Sequence, residues 1–148
     1  MNNQQVKPAR GPAPTEGLVG LVLGTARILE ARLEAAVQPF GLSLAKISVL
    51  HHLATSQEPV ALSVLAHHHG CVRSNITQLV DRLEKDGLVR RHDHATDRRS
   101  VRAALTPAGE RAYARALRAL GETSRAIAGA LGAAEAAHAR DALERISE

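Results

Sequence analysis

The sequence has 148 residues and a mass of 15.7 kDa, which fits one compact domain and leaves little room for a separate catalytic lobe. Hydrophobic residues make up 45% of the chain but aromatic residues only 1%, so the core must consist of Leu, Val, Ile and Ala. Because Ala and Leu favour helices, whereas strands favour aromatic and β-branched residues, this composition indicates packed helices and disfavours an all-β fold.

The formal net charge is +4, which is compatible with a nucleic acid or an anionic membrane surface as partner. The excess positive charge is concentrated in one part of the chain. Residues 73–105 carry eight basic side chains against five acidic ones, whereas residues 1–72 carry five against four and residues 106–148 six against six. Five of those eight are arginines between Arg90 and Arg102. A contact with a polyanion is therefore expected within residues 73–105.

Cysteine usage and hydropathy bear on the cellular compartment. Cys71 is the only cysteine, which excludes an intramolecular disulfide and a cysteine-based zinc knuckle and agrees with a reducing environment. No apolar run approaches the roughly 20 residues needed to span a bilayer, and the N-terminus lacks the charged-then-apolar order of a secretory signal. We expect a cytoplasmic protein without a membrane partner.

The first 40 residues predict a mobile arm followed by a long helix. Residues 1–14 contain three of the six prolines and almost no apolar side chains, so we expect a disordered arm. From Thr15, a candidate N-cap, to about Val37, apolar residues recur at helical spacing, until Pro39 and Gly41 end the helix. Ser43 can then cap a second helix. Its predicted apolar face consists of Ile47, Val49, Leu50 and Leu53.

The next segment predicts two short helices joined by a tight turn. After a turn at Glu58–Pro59, a helix from about Ala61 to His68 is closed by Gly70. Apolar residues at 3.6-residue spacing then predict a helix over residues 72–86 that ends at Gly87. The apolar face of this helix consists of Val72, Ile76, Leu79, Val80 and Leu83. Two such helices are typical of a helix-turn-helix.

The remainder predicts a β-hairpin and two helices. Leu88–Arg91 and Ser100–Leu105 contain β-preferring residues and flank a polar segment, which indicates a hairpin. Thr106 as N-cap and Pro107 at the first position start a helix that runs to about Ala128. We expect its apolar face to carry Tyr113, Leu117, Leu120 and Ile127. A last helix covers about Ala133–Ile146, and the fold class is mainly α with a small hairpin.

The helix over residues 72–86 has the two faces that a helix in the major groove of DNA requires. Opposite the apolar stripe lie Ser74, Thr77, Gln78 and Asp81, flanked by Arg73, Asn75 and Arg82. Short hydroxyl and amide side chains suit base edges, while the arginines suit bases or phosphates. The alternative is an ordinary solvated helix face.

The tip of the predicted hairpin carries Asp97, Arg98 and Arg99. Arginines at the tip of a two-stranded ribbon are placed to enter the narrow, negative minor groove beside a helix that lies in the major groove, the recognition helix. Asp97 is one carboxylate among cations, so we assign it to orienting a neighbouring arginine. The alternative is an exposed charged turn.

Residues 62–109 resemble the DNA-binding core of the MarR family of bacterial regulators. The specific motifs are VRSNITQLVDRLEKDGLVRR, the wing signature DRRS and LTPAGE after the wing. The resemblance implies a winged helix-turn-helix over residues 41–105 and a homodimer formed through helices in residues 15–40 and 106–148. It also implies DNA-contacting positions. These are Arg73, Ser74, Asn75, Thr77, Gln78 and Arg82 in the recognition helix, and Arg99, supported by Asp97, in the wing.

The same resemblance implies a ligand-responsive repressor, rather than an activator, bound to double-stranded DNA at a pseudo-palindromic operator. Most members of the family respond to small anionic or phenolic ligands, and this sequence does not identify the effector. No cofactor is expected. The sequence has no HExxH, no Gly-rich phosphate loop and no nucleophile elbow, which argues against an enzyme.

Three alternatives stay open at this point. The first is metal sensing, because the sequence has eight histidines, which include His51–His52, His67–His69 and the pair His92 and His94. Adjacent histidines on a helix, however, point in different directions. The triple histidine is not part of the family pattern. Cys71 precedes the recognition helix close to Arg73, where a lowered thiol pKa would permit redox sensing. The third alternative is a winged-helix module that contacts only proteins.

Overall fold

The computed structural model describes residues 17–68, 73–93 and 101–147, with no side-chain description for Arg73, Ser74 and Asp93. The chain divides into two units, residues 1–32 and 33–148. The described elements are, in chain order, helix α1 (Leu18–Val37), a 3-10 helix (Gln38–Phe40), helix α2 (Leu44–Thr55), strand β1 (Val60–Ala61), helix α3 (Leu62–His68), helix α4 (Arg73–Lys85), strands β2 (Val89–Asp93) and β3 (Val101–Leu105), and helices α5 (Pro107–Ala128) and α6 (Ala133–Ser147). The mainly helical fold class is confirmed.

The first unit contains most of α1, whose predicted extent is close to the observed one. The helix begins at Leu18, directly after Gly17 at φ 88°. Thr15, the predicted cap, and the predicted arm of residues 1–14 lie outside the described residues. Several large apolar side chains of this helix are more than half exposed, namely Leu18, Val19, Leu21, Leu23 and Ile28.

Helix α2 follows the sequence prediction closely. The Ser43 hydroxyl accepts a hydrogen bond from the Lys46 backbone N–H at 3.2 Å, which is the expected N-cap. The Leu44 backbone N–H has no acceptor within the helix, because it lies in the first turn, and it donates to Glu34 Oε2 at 2.8 Å. All four predicted core residues, Ile47, Val49, Leu50 and Leu53, are at most 6% exposed. The cap and the apolar face of α2 are therefore confirmed.

The sheet contains one strand that the sequence analysis missed. The order is β1-β3-β2, with both pairs antiparallel. Strand β1 pairs Val60 with Ala103 and Ala61 with Arg102, so Ala61 ends a strand and the following helix begins at Leu62. Two residues are too few to show the period-2 pattern of a strand, and β1 is defined only by its pairing with β3.

Helix α4 ends at a Schellman motif that agrees with the predicted stop at Gly87. Gly87 has φ 71°, and its backbone N–H donates to the Glu84 carbonyl oxygen. The Leu88 backbone N–H donates to the Leu83 carbonyl oxygen, which completes the motif. Strands β2 and β3 confirm the predicted hairpin strands. Their connection, residues 94–100, lies outside the described residues.

Helix α5 begins as predicted but buries different residues. The Thr106 hydroxyl accepts from the Gly109 backbone N–H at 3.0 Å, which confirms the N-cap. Its buried residues are Gly109, Ala112 and Ala116, whereas Leu117 of the predicted apolar face is 44% exposed. Tyr113 and Leu120 of that face are partly buried against the core. The close packing of α5 on its neighbours is made by small side chains instead.

One apolar core joins α2, α3, α4, the sheet and the start of α5. Its largest fully enclosed side chains include Leu50, Leu65, Ile76 and Leu83. All belong to residues 33–148, so this core belongs to the second unit. None of the described helices is by itself long and apolar enough to cross a membrane, although α1 with α2 meets the length and composition requirement as a bent pair.

Candidate nucleic-acid interface

Helix α4 has three stripes of residues in different surroundings. A buried stripe faces the core and consists of Ile76, Val80 and Leu83, each at most 2% exposed. A second stripe faces strand β2, and we call it the wing-facing stripe; it consists of Thr77, Asp81 and Glu84. The third is the exposed stripe, which consists of Asn75, Gln78 and Arg82. Each stripe follows the spacing of residues three and four apart that lie above one another on a helix.

The exposed stripe combines the side chains expected for reading DNA. Asn75 and Gln78 each carry a donor and an acceptor, which can pair with adenine edges, while Arg82 suits guanine or a phosphate. Because the buried stripe lies on the other side of the same helix, α4 is held on the domain while this stripe is left accessible. Arg73 and Ser74 lie in the first turn of α4, which is as much as the structure describes of them.

Arg91 of strand β2 contacts every residue of the wing-facing stripe. Its Nη2 donates to the Asp81 carboxylate and to the Thr77 carbonyl oxygen at 3.3 Å. Its Nη1 lies 3.6 Å from Glu84 Oε2, and its backbone N–H donates to Glu84 Oε1 at 3.1 Å. The Arg91 side chain is 28% exposed. These bonds attach the first strand of the hairpin directly to α4.

Two basic side chains of the sequence cluster are thus used within the protein. Besides Arg91, Arg102 of β3 donates from Nη1 to the Pro59 carbonyl oxygen at 3.1 Å, which ties β3 to the segment before β1. Arg82, Lys85 and Arg90 are exposed and have no ion pair with any other described residue. Among the described residues of the basic cluster, the positive charge available to a partner is therefore carried by α4 and β2 together.

Another ion pair secures the far end of α4. Lys46 of α2 donates from Nζ to Asp86 Oδ2 at 2.7 Å and to the Gly41 carbonyl oxygen at 3.0 Å. Asp86 directly follows the last residue of α4. The helix is fixed at this end to α2 and along its side to β2.

Several residues of the sequence prediction lie outside the described residues. They are Asp97, Arg98 and Arg99, which the sequence predicts for a hairpin tip, and Cys71, which precedes α4 in the sequence. Among the others, Asn75, Gln78 and Arg82 share the exposed stripe, while Thr77 belongs to the wing-facing stripe. Sequence reasoning missed Arg91 as a partner of Asp81. The available signal was an acidic pair at positions 81 and 84 of the helix with an arginine shortly after Gly87, but only the fold shows that they meet.

The histidines form contacts between helices. The rings of His52 in α2 and His68 in α3 have centroids 4.4 Å apart, and the His51 Nδ1 is hydrogen-bonded to the Tyr113 hydroxyl. Within residues 17–68, 73–93 and 101–147, no group of three or more His, Cys, Asp or Glu side chains could hold a metal ion. His69 and His94 lie outside those ranges.

A pocket of about 390 Å³ opens between the end of α2, strand β3 and the first turns of α5. Its lining includes Leu53 and Leu105 as apolar walls and Glu58, Glu110 and Tyr113 as polar groups. Burial raises the pKa of the Tyr113 phenol above its ordinary value of 10.0. The phenol is therefore neutral at physiological pH and can donate or accept a hydrogen bond.

Comparisons with known proteins agree with this geometry. Residues 42–101, from just before α2 to the start of β3, match the model of the MarR family. No curated protein sequence matches the chain. A transcriptional regulator of the MarR family from a Rhodococcus species matches with a TM-score of 0.74 and 26% identity, covering 92% of this chain and 96% of that chain.

Two further solved structures were determined with a bound partner. CouR from Rhodococcus jostii, bound to p-coumaroyl-CoA, matches with a TM-score of 0.72 and 25% identity over 92% of this chain and 95% of its own. The Mycobacterium tuberculosis regulator MOSR, in complex with DNA, matches with a TM-score of 0.68 and 25% identity over 88% of this chain and 93% of its own. The family match over residues 42–101 and the shared winged helix-turn-helix make the chain similar to the DNA-binding transcriptional regulators of the MarR family.

Proposed function

We propose that the chain is a repressor that binds a pseudo-palindromic operator as a homodimer and releases it when a small effector binds. The observation that carries this proposal is the division of α4 into a buried stripe and an exposed stripe of Asn75, Gln78 and Arg82. In the major groove, the exposed stripe and the first-turn residues Arg73 and Ser74 contact base edges and phosphates. The structure of MOSR with DNA supports such an interface in a protein of the same fold.

The hairpin β2–β3 supplies a second contact. Arg98 and Arg99 at its tip enter the minor groove, where the negative potential favours guanidinium groups, and Asp97 orients Arg99. Thr77, on the wing-facing stripe, lies at the border between the helix contact and the hairpin contact. The bonds of Arg91 to α4 support this arrangement, because they keep the hairpin beside the recognition helix.

Residues 15–40 and 106–148 form the dimerisation region, and residues 41–105 the DNA-binding region. Exposed apolar side chains support this division. In the first unit they lie on α1, and in the second they include Leu117 on α5 and Leu143 and Ile146 on α6, which are 44–62% exposed. Large apolar groups in water at this density favour an interface with a second copy of the chain.

The pocket beside Tyr113 is our candidate effector site. It lies where β3 of the hairpin meets α5 of the dimerisation region, so a ligand there acts on both. The two DNA-binding regions of the dimer have one arrangement that fits the operator and one that does not. An effector that binds the second arrangement more tightly shifts the dimer towards it and releases the DNA. CouR with p-coumaroyl-CoA supports a ligand-bound state for this fold.

Footprinting on the DNA that flanks the gene tests the proposal. We expect two protected half-sites one helical turn or a multiple apart, and an affinity that falls steeply as salt rises. Gln78→Ala should change base preference, whereas Arg99→Ala should weaken binding without affecting the dimer. The footprint is repeated with candidate ligands to find one that releases the DNA. Binding that is absent or insensitive to salt contradicts the proposal and leaves a module that contacts proteins.

A further inference from the structure

We propose that Arg91 is a positioning residue for DNA recognition, which fixes the hairpin against α4 and neutralises Asp81 beside the exposed stripe. The inference rests on the proposed DNA interface of α4 and adds to it a residue that does not itself contact DNA. Three hydrogen bonds from Arg91 reach three successive residues of the wing-facing stripe. The arginine therefore fixes both the distance between strand β2 and α4 and the rotation of the strand about its own axis.

Arg91 fixes the orientation of the hairpin through the geometry of its hydrogen bonds. The guanidinium is planar and presents its donors in a fixed fork, so simultaneous bonds to the Thr77 carbonyl and the Asp81 carboxylate define one orientation. The backbone N–H of the same residue donates to Glu84 at 3.1 Å, so the main chain of β2 is attached as well as the side chain. Because Asp93, the end of β2, lies only two residues beyond Arg91, this attachment sets the direction in which the hairpin leaves α4.

Arg91 also offsets the negative charge of Asp81 beside the exposed stripe. Asp81 is 51% exposed and directly precedes Arg82, one turn after Gln78, so its carboxylate lies close to the side chains that meet DNA in the proposed interface. An unpaired carboxylate at that position repels the phosphate backbone, since like charges near a low-dielectric surface are weakly screened. The Arg91 guanidinium offsets this charge without adding a DNA contact. Glu84, 40% exposed, is the other acidic group beside the same guanidinium.

A double-mutant cycle on the full-length protein separates this role from a direct phosphate contact. Operator affinity is measured for the wild type, Arg91→Gln, Asp81→Asn and the double variant, each over a range of salt. We expect Arg91→Gln to lower affinity by about tenfold, and the added Asp81→Asn to restore a clear part of that loss, because the unpaired carboxylate is then gone. Asp81→Asn alone should change affinity by less than about threefold.

The salt dependence of operator affinity distinguishes a positioning role from a direct phosphate contact. A lost phosphate contact reduces the slope of log affinity against log salt by about one unit. For Arg91→Gln we expect an unchanged slope. Additive effects in the cycle together with a reduced slope overturn the proposal and make Arg91 a phosphate contact. If Arg91→Gln does not fold, Arg91→Lys takes its place, because it keeps the charge and loses the fork. Its operator affinity is expected to lie between that of the wild type and the roughly tenfold lower value expected for Arg91→Gln.

Controls on the exposed stripe distinguish failure of this inference from failure of the proposed function. Gln78→Ala and Arg82→Ala are measured with the same operator. If neither changes affinity or base preference, the α4 interface itself is wrong. If both do and the Arg91 cycle is additive, only the positioning role is wrong.

Discussion

The Leu88 carbonyl oxygen lies 2.0 Å from the point where a Cβ atom at position 109 would be placed. Gly109 is in the first turn of α5, and Leu88 directly precedes strand β2. The Leu88 carbonyl carbon and Leu105 Cδ2 lie only 2.9 and 3.1 Å from the same point. The backbone of α5 can approach the start of β2 this closely only because position 109 has no side chain.

Gly109→Ala is therefore expected to destabilise the protein by about 1–3 kcal/mol, since the added methyl must displace backbone. The measurement is the midpoint of urea unfolding. Gly121→Ala is the matched control in the same helix, because the nearest atom to its new Cβ is Arg125 Nη1 at 3.9 Å. There we expect a gain of up to about 1 kcal/mol from helix propensity. Equal effects at both positions would argue against the close approach.

Removal of the Thr106 hydroxyl should also destabilise the start of α5. The Thr106 Oγ1 accepts from the Gly109 backbone N–H at 3.0 Å and donates to the Gly87 carbonyl oxygen at 2.7 Å. Thr106→Ala is expected to cost about 1–2 kcal/mol in the free energy of unfolding. Thr106→Ser keeps the hydroxyl and should recover most of this loss. If the serine variant is as unstable as the alanine variant, the cap is not the cause.

Stability should fall at high pH because of Tyr113. Burial raises the pKa of its phenol, so the folded state holds the proton more tightly than the unfolded state does. This contribution to stability is complete below the unfolded value of 10.0 and is lost as pH rises through the folded pKa. Tyr113 is the only tyrosine and the chain has no tryptophan, so tyrosinate absorbance reports on this group alone.

We expect the absorbance of the folded protein to titrate above pH 10.0 and that of the protein in denaturant to titrate near it. Tyr113→Phe should have a weaker loss of unfolding free energy over the same pH range. Titration at the same pH in both states would contradict the pKa shift.

A charge on the apolar side of α6 should weaken the proposed dimer. Leu143 is 49% exposed and lines an apolar groove with Leu131, at the end of the chain that we assign to dimerisation. Leu143→Glu is expected to raise the dimer dissociation constant at least about tenfold, because a buried carboxylate without a partner is costly. Sedimentation velocity over a range of concentrations provides the measurement.

Val64→Glu is the control for that experiment. Val64 lies on α3 and is 43% exposed, so it offers a similar apolar surface outside the dimerisation region. Its substitution should leave the dissociation constant unchanged. A monomeric wild-type chain, or equal weakening by both variants, would refute the assignment of α6 to the interface.

Sequence alone predicted the features that depend on near neighbours along the chain. The caps at Ser43 and Thr106 and the stop at Gly87 each depend on a side chain and a backbone group a few residues apart, so local rules identify them. The buried stripe of α4 follows the same logic, because its period is that of the helix. The exposed position of Gln78 and Arg82 then follows, whereas their contact with DNA stays a prediction.

The features that sequence did not reveal depend on a distant partner. Strand β1 is defined by its pairing with β3, which lies some 40 residues away in the sequence. Its two residues are too few to show the alternating pattern of a strand. The burial of Ala112 and Ala116 instead of Leu117 depends on how closely α5 approaches its neighbours. Asp81 has the polarity of a DNA-facing residue, and only the fold places Arg91 beside it.

The hydroxyl of Thr106 joins two parts of the structure that are separate along the chain, the C-terminal turn of α4 and the first turn of α5. It holds the Gly87 carbonyl on one side and the Gly109 N–H on the other. Neither turn can fray without breaking a bond of the other, so the two should open as one cooperative unit. Amide hydrogens in both turns are then expected to show similar protection against exchange with solvent, although Gly87 and Thr106 are 19 residues apart.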